Sequence, residues 1–417
     1  MRILALTSRV AEKMIASRHR RDVGTEAVAS RIVGDVRRRG DSALFAWTRR
    51  LDDIRLTPRK LWVEPTELRG AAGSIPKQLR SALAHAARNI RRVAEEQLPR
   101  SWSIAVEPGV RVSQRVSAID TIGCYIPGGR FSLVSTLLMT AIPAQVAGVR
   151  RIVVACPRPN AALLAAAEML GLKEIAHIGG AQAIGALAYG TRSVPRVDKI
   201  FGPGNRYVTA AKRLVSADCA IDLLAGPTEV LIVAASGNPG YIAADILAQA
   251  EHDPDAVALV VTTSRHFAKR MRDAVARQLE RLPETNPAKR SLAEKGAILL
   301  AADSAAAVRF ANLFAPEHLS IPGAQAELAH KLEAAGSVFL GPWSAQSIGD
   351  YASGTNHVLP TSGGARTRGG LSTADFVRCT SVQHISTAGL RSLGPVVAAL
   401  ADAEGLVAHR RAVEVRQ

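Results

Sequence analysis

The chain has 417 residues, more than the roughly 100 to 200 of one ordinary domain, and 47% of them are hydrophobic, enough to fill more than one core. Its formal net charge of +17 raises the question of a nucleic-acid partner, but only 4% of the residues are aromatic and the arginines, 43 of the 53 basic residues, are scattered, which disfavours that role. The sequence has no apolar run of about 18 residues, so no membrane span is predicted. The four cysteines have no paired spacing, and we therefore expect a soluble, cytoplasmic protein with reduced thiols.

The first part of the chain, residues 24–100, is predicted to be rich in helix. Asp41 follows Gly40 and is a plausible N-cap, because its carboxylate can accept hydrogen bonds from the free N–H groups of the next turn. The run SALAHAARNIRRVAEEQL, at 81–98, has the periodicity of an amphipathic helix.

From about residue 116 the pattern changes, and apolar, β-branched runs alternate with helical runs. Strands are predicted within 150–156, 174–180, 197–205, 229–236, 256–264, 296–301 and 337–341. Helices are predicted within 161–170, 181–190, 206–215, 241–250, 266–282, 304–314 and 326–336. Continuous apolar strands that alternate with helices indicate parallel strands covered on both faces, and the number of units exceeds one ordinary sheet. We therefore predict an α/β fold with two doubly wound, Rossmann-like domains that share a cleft.

Glycine turns follow several of the predicted strands, at 125–130, 178–182 and 201–205. In such sheets, ligands bind beyond the carboxyl ends of the strands, where free N–H groups and a helix N-terminus attract phosphate. A G-x-G-x-x-G fingerprint is absent. Nucleotide binding and tight structural turns therefore both remain open from these turns alone.

The run QAEHDPD, at 249–255, combines an amide, an imidazole and three carboxylates at a predicted helix end. Gln249 and His252 are three residues apart and share a face of that helix, which Pro254 is expected to stop. Nitrogen and oxygen donors without a cysteine suit a divalent ion such as zinc or manganese. A solvated helix end is the plainer interpretation of this pair by itself.

Further clusters of the same kind follow along the chain. The first follows a proline between apolar flanks that predict burial, the second lies in a Gly/Ser/Thr-rich loop, and the third lies near the C-terminus. They are Glu317 with His318, Asp350 with His357, and Glu404 with His409. Several such clusters in one chain favour a catalytic metal site.

Together, these motifs resemble the histidinol dehydrogenases. Collinear segments from residue 40 to residue 413 carry the resemblance: GDSALFAWT, CYIPGGR, GGAQAIGALAYGT, VDKIFGPGN, AGPTEVLIVA, QAEHDPD, APEHL, AGSVFLG, GDYASGTNHVLPT and AHRRAV. The resemblance implies a homodimer that oxidises L-histidinol through L-histidinal to L-histidine, with two NAD+ and one Zn²⁺ per subunit. It also implies that both Rossmann-like domains are incomplete and that small N- and C-terminal helical segments flank them.

The resemblance also implies roles for individual residues. The metal ligands would be Gln249, His252, Asp350 and, from the partner subunit, His409. Glu317 and His318 would be the acid/base pair. The substrate site would be lined by Thr228, Gln249, His252, Glu317, His318, Asp350, His357, Glu404 and His409. The nucleotide site would be lined by Tyr125, Gln182 and Asn205. Thr228 stands where some members have serine, and 131–134 is a variable stretch beside the nucleotide site.

The expected division of the chain has four parts. They are an N-terminal segment, 1–17; a discontinuous Rossmann-like domain with the metal and catalytic residues, 18–124 plus 228–371; a second Rossmann-like domain on the nucleotide side, 125–227; and a C-terminal dimer-swapped segment, 372–417.

For the chemistry, we expect His318 to take the alcohol proton and Glu317 to polarise the water that hydrates the aldehyde. A cysteine thiohemiacetal is disfavoured, because Cys124 and Cys156 lie in apolar strand contexts without an adjacent histidine. The alternatives are a metal-dependent NAD dehydrogenase of another small alcohol, such as a sulfonated diol, a zinc hydrolase, or a basic binding protein. The carboxylates favour a cationic substrate over a sulfonate.

Overall fold

The structure, a computed structural model, describes residues 1–18, 22–128, 133–323 and 326–417. Its strands are β1 (Arg2–Ala5), β2 (Trp102–Glu107), β3 (Val110–Ala118), β4 (Thr121–Tyr125), β5 (Arg151–Ala155), β6 (Glu174–Ala176), β7 (Lys199–Phe201), β8 (Ala220–Ile221), β9 (Glu229–Val233), β10 (Val257–Thr262), β11 (Ala297–Leu300), β12 (His318–Ile321), β13 (Ser337–Leu340) and β14 (Val377–Ile385).

Its α-helices are α1 (Ser8–Ser17), α2 (Val23–Arg39), α3 (Asp41–Asp52), α4 (Pro65–Leu68), α5 (Lys77–Glu96), α6 (Val134–Ala147), α7 (Ala161–Met169), α8 (Gly180–Tyr189), α9 (Arg206–Val215), α10 (Pro239–Ala250), α11 (Arg265–Leu279), α12 (Pro287–Glu294), α13 (Ser304–Phe314), α14 (Gln346–Tyr351), α15 (Thr387–Ala403) and α16 (Val407–Glu414). Short 3-10 turns lie at Pro58–Lys60, Ala71–Ser74, Ala326–Lys331, Gly364–Arg366 and Thr373–Phe376. None of the helices in these described ranges is long and apolar enough to cross a membrane.

A six-stranded sheet in the order β1-β11-β10-β9-β12-β13 is parallel throughout. Its central strands β9, β10 and β11 are mainly apolar because both faces of the sheet are covered: one core contains Ile232 and the α10 residue Ile246, and the other contains Leu231 and the α13 residue Phe310. This is the α/β architecture that the alternating runs predict.

A second parallel sheet has five strands, in the order β6-β5-β4-β7-β8. Helices again cover both faces, with α6 and α7 on one core and α8 and α9 on the other. The two sheets confirm the predicted α/β fold with two Rossmann-like units.

A three-stranded antiparallel sheet, β14-β3-β2, lies outside the alternating pattern. Its strands carry many exposed polar residues, and several apolar ones are exposed too, including Trp102, Ile104 and Val382. The sequence analysis missed this sheet, because its strands lack both the continuous apolar runs of parallel strands and a clean alternation.

The helices of residues 23–96 depart from the predicted division of the chain. Residues 18–124 were expected to belong with the metal-bearing domain. Instead, α2 packs against α8 and α9, α3 against α8 and α5 against α6, so their apolar faces join the two cores of the five-stranded sheet. Likewise, β1 of the 1–17 segment pairs with β11 of the six-stranded sheet. The assignment of 18–124 is wrong in this respect, and the other boundaries remain a prediction.

Some local expectations also need correction. Asp41 is the first residue of α3 and not its N-cap, which is Gly40; its carboxylate accepts hydrogen bonds from Ser193 instead. The helix that Pro254 was expected to stop already ends at Ala250. The helix expected at 326–336 is a 3-10 turn at Ala326–Lys331.

Candidate active site

The amino ends of β9 and β12 carry the candidate catalytic residues. Parallel pairing places His318 opposite Val230, so that Thr228 and Glu229 lie beside Glu317 and His318. These residues lie at the edge opposite to the one where ligands usually bind in such sheets. The glycine turns of the five-stranded sheet, in contrast, follow the carboxyl ends of β4, β6 and β7 as expected.

Glu317 is buried and its carboxylate is well supplied with donors. The Thr228 hydroxyl donates to Glu317 Oε2 at 2.5 Å, and the Glu229 N–H donates to the same oxygen at 2.8 Å. The amide nitrogen of Gln249 donates in turn to the Thr228 hydroxyl oxygen. Because the Thr228 hydroxyl and the Glu229 N–H donate to the same carboxylate oxygen, this chain of hydrogen bonds fixes the position of the Glu317 side chain.

His318 is buried between two carboxylates. Its Nδ1 lies 3.2 Å from the Glu229 carbonyl oxygen and 3.5 Å from Glu317 Oε2, so Nδ1 carries a proton that it donates to the carbonyl. Its Nε2 lies 3.4 Å from Asp350 Oδ1, close enough for an ion pair but not aligned as a hydrogen bond. Burial lowers the pKa of His318, but Glu317 and Asp350 outweigh it and raise the pKa to about 10.

Asp350 lies among three imidazoles at the end of α14. Burial alone would raise its pKa, but His318, His357 and His252 together hold the pKa below its usual range. His357 directs Nδ1 to the Asp350 carbonyl at 2.9 Å, and its Nε2 lies 3.2 Å from the Thr136 hydroxyl. Burial lowers the pKa of His357, which favours the neutral ring. The imidazole of His357 thus links the two sheets across the cleft.

Thr136 is a site residue that sequence analysis missed. It is fully buried in the first turn of α6, inside an apolar helix and without a surrounding motif, so the sequence held no signal for it. Glu229 was also missed as a site residue, although its buried side chain and its backbone both contact the site. A buried glutamate at the start of an apolar strand was the signal for Glu229.

A cleft of about 210 Å³ opens between the two sheets above these residues. Its lining includes Thr136, Pro203, Thr228, Gln249, His252, Glu317, His318, Asp350 and His357. This volume suits a small molecule that several polar groups contact at once. A depression of about 360 Å³ at the amino ends of β5 and β6 is larger, but its Arg151–Glu174 ion pair is solvated, and it holds no buried ionisable group.

Gln249, His252 and Asp350 are the candidate metal ligands that this chain brings to the cleft. His252 and Asp350 line the same cleft. Within the described ranges there is no group of three or more His, Cys, Asp and Glu side chains that could hold a metal ion. The donor set fits zinc in kind, with one amide, one imidazole and one carboxylate, and a tetrahedral site would take one further ligand.

Glu404 and His409 do not line this cleft. Glu404 is the C-cap of α15 and His409 lies in α16, and both side chains are exposed. The structure of one chain therefore leaves their predicted role in the substrate and metal sites as a prediction that depends on a second copy.

The candidate nucleotide residues lie at the carboxyl end of the five-stranded sheet. Tyr125 is buried and its hydroxyl accepts a hydrogen bond from the Gly180 N–H at 3.2 Å. Gln182 is fully buried and donates to Asp52 at 2.9 Å. Asn205 is exposed and caps α9, since its side chain accepts from two N–H groups of the first turn. Residues 129–132, which include Gly129, Arg130 and part of the variable stretch, lie outside the described residues.

The cysteines do not contribute a nucleophile. Burial raises the pKa of Cys124 to about 12 and that of Cys219 to about 11, so both thiols are protonated at neutral pH. Cys156 is buried beside β5, and Cys379 is exposed on β14. Glu317 and His318 are therefore the candidates for proton transfer in the cleft.

Two parallel sheets with a cleft between them and a buried Glu–His pair at its floor give the molecule the architecture of an α/β enzyme with candidate acid–base residues. A family model described as histidinol dehydrogenase matches residues 16–417. The chain therefore belongs to the histidinol dehydrogenase family.

Individual relatives agree over almost the whole length. The chain is 44% identical to a histidinol dehydrogenase of Vibrio parahaemolyticus, over 94% of this chain and 91% of the relative. It is 47% identical to one of Methanothermobacter thermautotrophicus, over 91% and 90%. The crystal structure of histidinol dehydrogenase from Elizabethkingia anophelis superposes with a TM-score of 0.93 and 37% identity, and the match covers 100% of this chain and 97% of that one.

Proposed function

We propose that the protein oxidises L-histidinol through L-histidinal to L-histidine, with two NAD+ as hydride acceptors and one zinc ion per subunit, in the last steps of histidine biosynthesis. The observation that carries this proposal is the buried Glu317–His318 pair at the floor of the cleft, with Asp350 and Gln249 beside it. Family membership supports the substrate, and the small, carboxylate-lined cleft suits a cationic amino alcohol.

Each oxidation removes one hydride and one proton from the substrate. In the first, His318 Nε2 takes the proton of the alcohol as the hydride leaves for NAD+. In the second, Glu317 accepts a proton from the water that adds to the aldehyde, while His318 returns its proton to the aldehyde oxygen to give the gem-diol. Neutral His318 then takes a proton from the gem-diol as the second hydride leaves. Together the steps consume one water and two NAD+ and give two NADH, the carboxylate product and three protons.

As the structure stands, Glu317 and Asp350 keep a proton on His318 at neutral pH. His318 can act as a base only if a cation other than the His318 imidazolium neutralises the negative charge of Asp350. This requirement supports Asp350 as a metal ligand, together with Gln249, His252 and His409 of the partner subunit. When bound, zinc would supply a fixed positive charge and open positions for the nitrogen atoms of the substrate.

The nucleotide is proposed to lie against the glycine turns of the five-stranded sheet, near Tyr125, Gln182 and Asn205. These turns follow the carboxyl ends of β4, β6 and β7, where dinucleotides bind in sheets of this kind. The carboxyl end of that sheet and the amino end of the other meet at the cleft, which would bring a nicotinamide close to His318.

A homodimer with shared sites is proposed on the incomplete donor set of one chain and on the exposure of Glu404 and His409. The cytoplasmic location remains a prediction from the sequence. The direct test is the absorbance at 340 nm with L-histidinol, NAD+ and zinc-loaded protein. We expect two NADH per histidinol; no NADH formation would refute the proposed function.

Two alternatives are decided by the same assay. A metal-dependent dehydrogenase of another small alcohol would reduce NAD+ with a sulfonated diol and not with histidinol. A zinc hydrolase would need no NAD+. Two observations favour histidinol oxidation over these alternatives: the family model spans residues 16–417, and carboxylates line the cleft.

A further inference from the structure

The strongest feature outside the catalytic set is a buried arginine from the N-terminal segment. The Arg18 side chain is only 2% exposed, and that of its partner Glu229 is 1% exposed. A buried charge is costly unless it is paired and hydrogen-bonded, so this arginine needs a purpose beyond surface solvation.

Arg18 contacts two segments next to the Glu317–His318 pair, through Glu229 on β9 and Phe314 at the end of α13. Its Nη1 donates to Glu229 Oε2 at 2.8 Å, and its Nη2 donates to the Phe314 carbonyl at 2.6 Å. The guanidinium also lies over the Phe314 ring, 3.6 Å from the centroid. The other oxygen of Glu229 accepts the Ser362 N–H at 3.2 Å. Arg18 therefore joins the end of α13 to the start of β9.

The two segments that Arg18 joins, the end of α13 and the start of β9, also position Glu317 and His318. The backbone of Glu229 holds both residues, through its N–H to the Glu317 carboxylate and its carbonyl to His318 Nδ1. Phe314 precedes the turn that leads into Glu317. The guanidinium thus braces the two segments whose relative position sets the geometry of the acid/base pair.

The turn that Arg18 braces is strained. Ala315 has φ 46° and ψ 68°, in the left-handed region that residues with a Cβ rarely adopt. Such a residue keeps its conformation only where the surroundings enforce it. Arg18 supplies one such restraint, because it donates to the carbonyl directly before Ala315.

We propose that Arg18 is a positioning residue for Glu317 and His318, which acts by holding the strained turn at Ala315 against Glu229. The guanidinium does not need to touch the substrate for this role. The kinetic test of this inference rests on the proposed function, whereas the structural test depends only on the geometry of Glu317.

The kinetic test compares Arg18→Met and Arg18→Lys with the wild type, using histidinol and NAD+. A lysine ammonium can reach Glu229 or the Phe314 carbonyl but not both in the same fork, so it should be intermediate. We expect R18M to lower kcat by about 10² and R18K by about 10, since a displacement of about 1 Å at a catalytic group costs on this order. KM for NAD+ should change less than about twofold, because the nucleotide side is untouched.

Arg366→Met is the matched control. Arg366 is exposed and donates to the Leu313 carbonyl, so it caps the same helix end without contacting Glu229. Its kcat should stay within about twofold of the wild type. If R366M and R18M lose the same share of kcat, any contact at the end of α13 would explain the loss, and the proposal would be overturned.

The double variant R18M/A315G tests whether Arg18 acts through the turn at Ala315. Glycine adopts the left-handed conformation without strain, so Ala315→Gly should need the brace less, and R18M/A315G should recover at least about tenfold of the kcat lost in R18M. A double variant no better than R18M would show that Arg18 does not act through the turn.

A crystal structure of R18K, or of R18M where it folds, provides the readout that does not depend on turnover. We expect Glu317 Oε2 to leave the Glu229 N–H, from which it lies 2.8 Å in the wild type. An unchanged bond would overturn the positioning role. If the wild type does not oxidise histidinol, the proposed function fails, and this structural comparison still decides the role of Arg18.

Discussion

At the scale of single residues, Glu317 and His318 are adjacent in sequence but have different surroundings. Glu317 accepts from a hydroxyl and a backbone N–H, which keep it an acceptor. His318 has one nitrogen on a backbone carbonyl and the other facing Asp350 and the cleft. The nitrogen that faces the cleft is therefore the one placed to exchange a proton with the substrate.

This difference predicts separate effects for two substitutions. His318→Ala should slow both oxidation steps, and Glu317→Ala should mainly slow the aldehyde step, because only that step consumes water. The expected losses are on the order of 10²-fold or more for a positioned proton-transfer group. The measurement is turnover of histidinol to the aldehyde against turnover of supplied histidinal. If Glu317→Ala slows the alcohol step as much as the aldehyde step, the division of roles is wrong.

Metal retention is the second residue-scale prediction. His252→Ala removes an imidazole donor from a set that is already short of one ligand, so bound zinc and activity should both be lost while the fold is kept. His266→Ala is the matched control, since His266 is exposed on α11 away from the cleft. Zinc content by atomic absorption measures the outcome, and stoichiometric zinc in the His252 variant would remove this residue from the site.

Asp245, on α10, gives a pH-dependent prediction. Burial raises its pKa from 3.8 to about 6, and among the described residues its carboxylate has no hydrogen bond or ion pair. Because the folded pKa is raised, the protonated form is favoured in the fold, and the free energy of unfolding falls as the pH rises between these two values. Asp245→Asn should therefore stabilise the protein at pH 8 by on the order of 1 kcal/mol, after allowance for solvent screening of this partly exposed group.

Urea unfolding at pH 8 and at pH 5 measures this effect, and the gain should shrink at the lower pH. Asp273→Asn is the control, because Asp273 is half exposed on α11 and pairs with Arg272. A gain in the Asp245 variant that is independent of pH would contradict the titration.

At the scale of elements, the sequence predicts the parallel α/β units because their strands are buried on both faces and read as continuous apolar runs. The same criterion overlooks β12, since its four residues begin with a histidine. It also overlooks β2, β3 and β14, whose exposed residues are both polar and apolar and follow no clean alternation. The packing of α2 against α8 and α9 cannot be predicted from periodicity, which gives the apolar face of a helix but not the element that this face contacts.

The glycine turn after β7 gives the element-scale prediction. A Cβ at Gly202 would lie 2.1 Å from the Tyr125 carbonyl oxygen, and the residue has φ 111°, so Gly202→Ala should displace the turn. The control is Gly171→Ala, where φ is also positive, at 67°, but a Cβ would meet nothing within 4 Å.

Gly171→Ala should lose about 1 kcal/mol of stability from its positive φ, and Gly202→Ala should lose more, because its Cβ also meets the Tyr125 carbonyl oxygen. Only the Gly202 variant should also weaken NAD+ binding, by about tenfold or more, because its turn lies at the proposed nucleotide site. Urea unfolding and calorimetric titration with NAD+ give the two quantities. Equal NAD+ affinity in both variants would place the nucleotide elsewhere.

At the scale of the whole molecule, the two sheets are oriented so that the amino end of one faces the carboxyl end of the other across the cleft. The sequence predicts the sheets and most of the cleft residues, including Thr228, Gln249, His252, Asp350 and His357. It does not predict this orientation, which depends on contacts between distant segments, such as that of Thr136 with His357.

The C-terminal segment gives the prediction that belongs to the assembly. Glu404 and His409 are exposed, do not line the cleft of their own chain, and lie among exposed apolar residues such as Leu400 and Val407. The cleft, for its part, holds an incomplete set of donors. A second copy that inserts this segment would complete the site, so truncation after Leu400 should leave an inactive protein.

Complementation between two inactive chains tests the shared site directly. In a mixed dimer of His409→Ala and His318→Ala chains, one site contains both defects and the other contains neither, so activity should return in proportion to the mixed dimers formed, up to about half of the wild-type value per mixed dimer. Each variant alone should stay inactive. Mixed dimers verified by native mass spectrometry that show no recovery would place His409 in its own subunit or outside the site, because a residue that acts within its own chain leaves a defect in both sites of the mixed dimer.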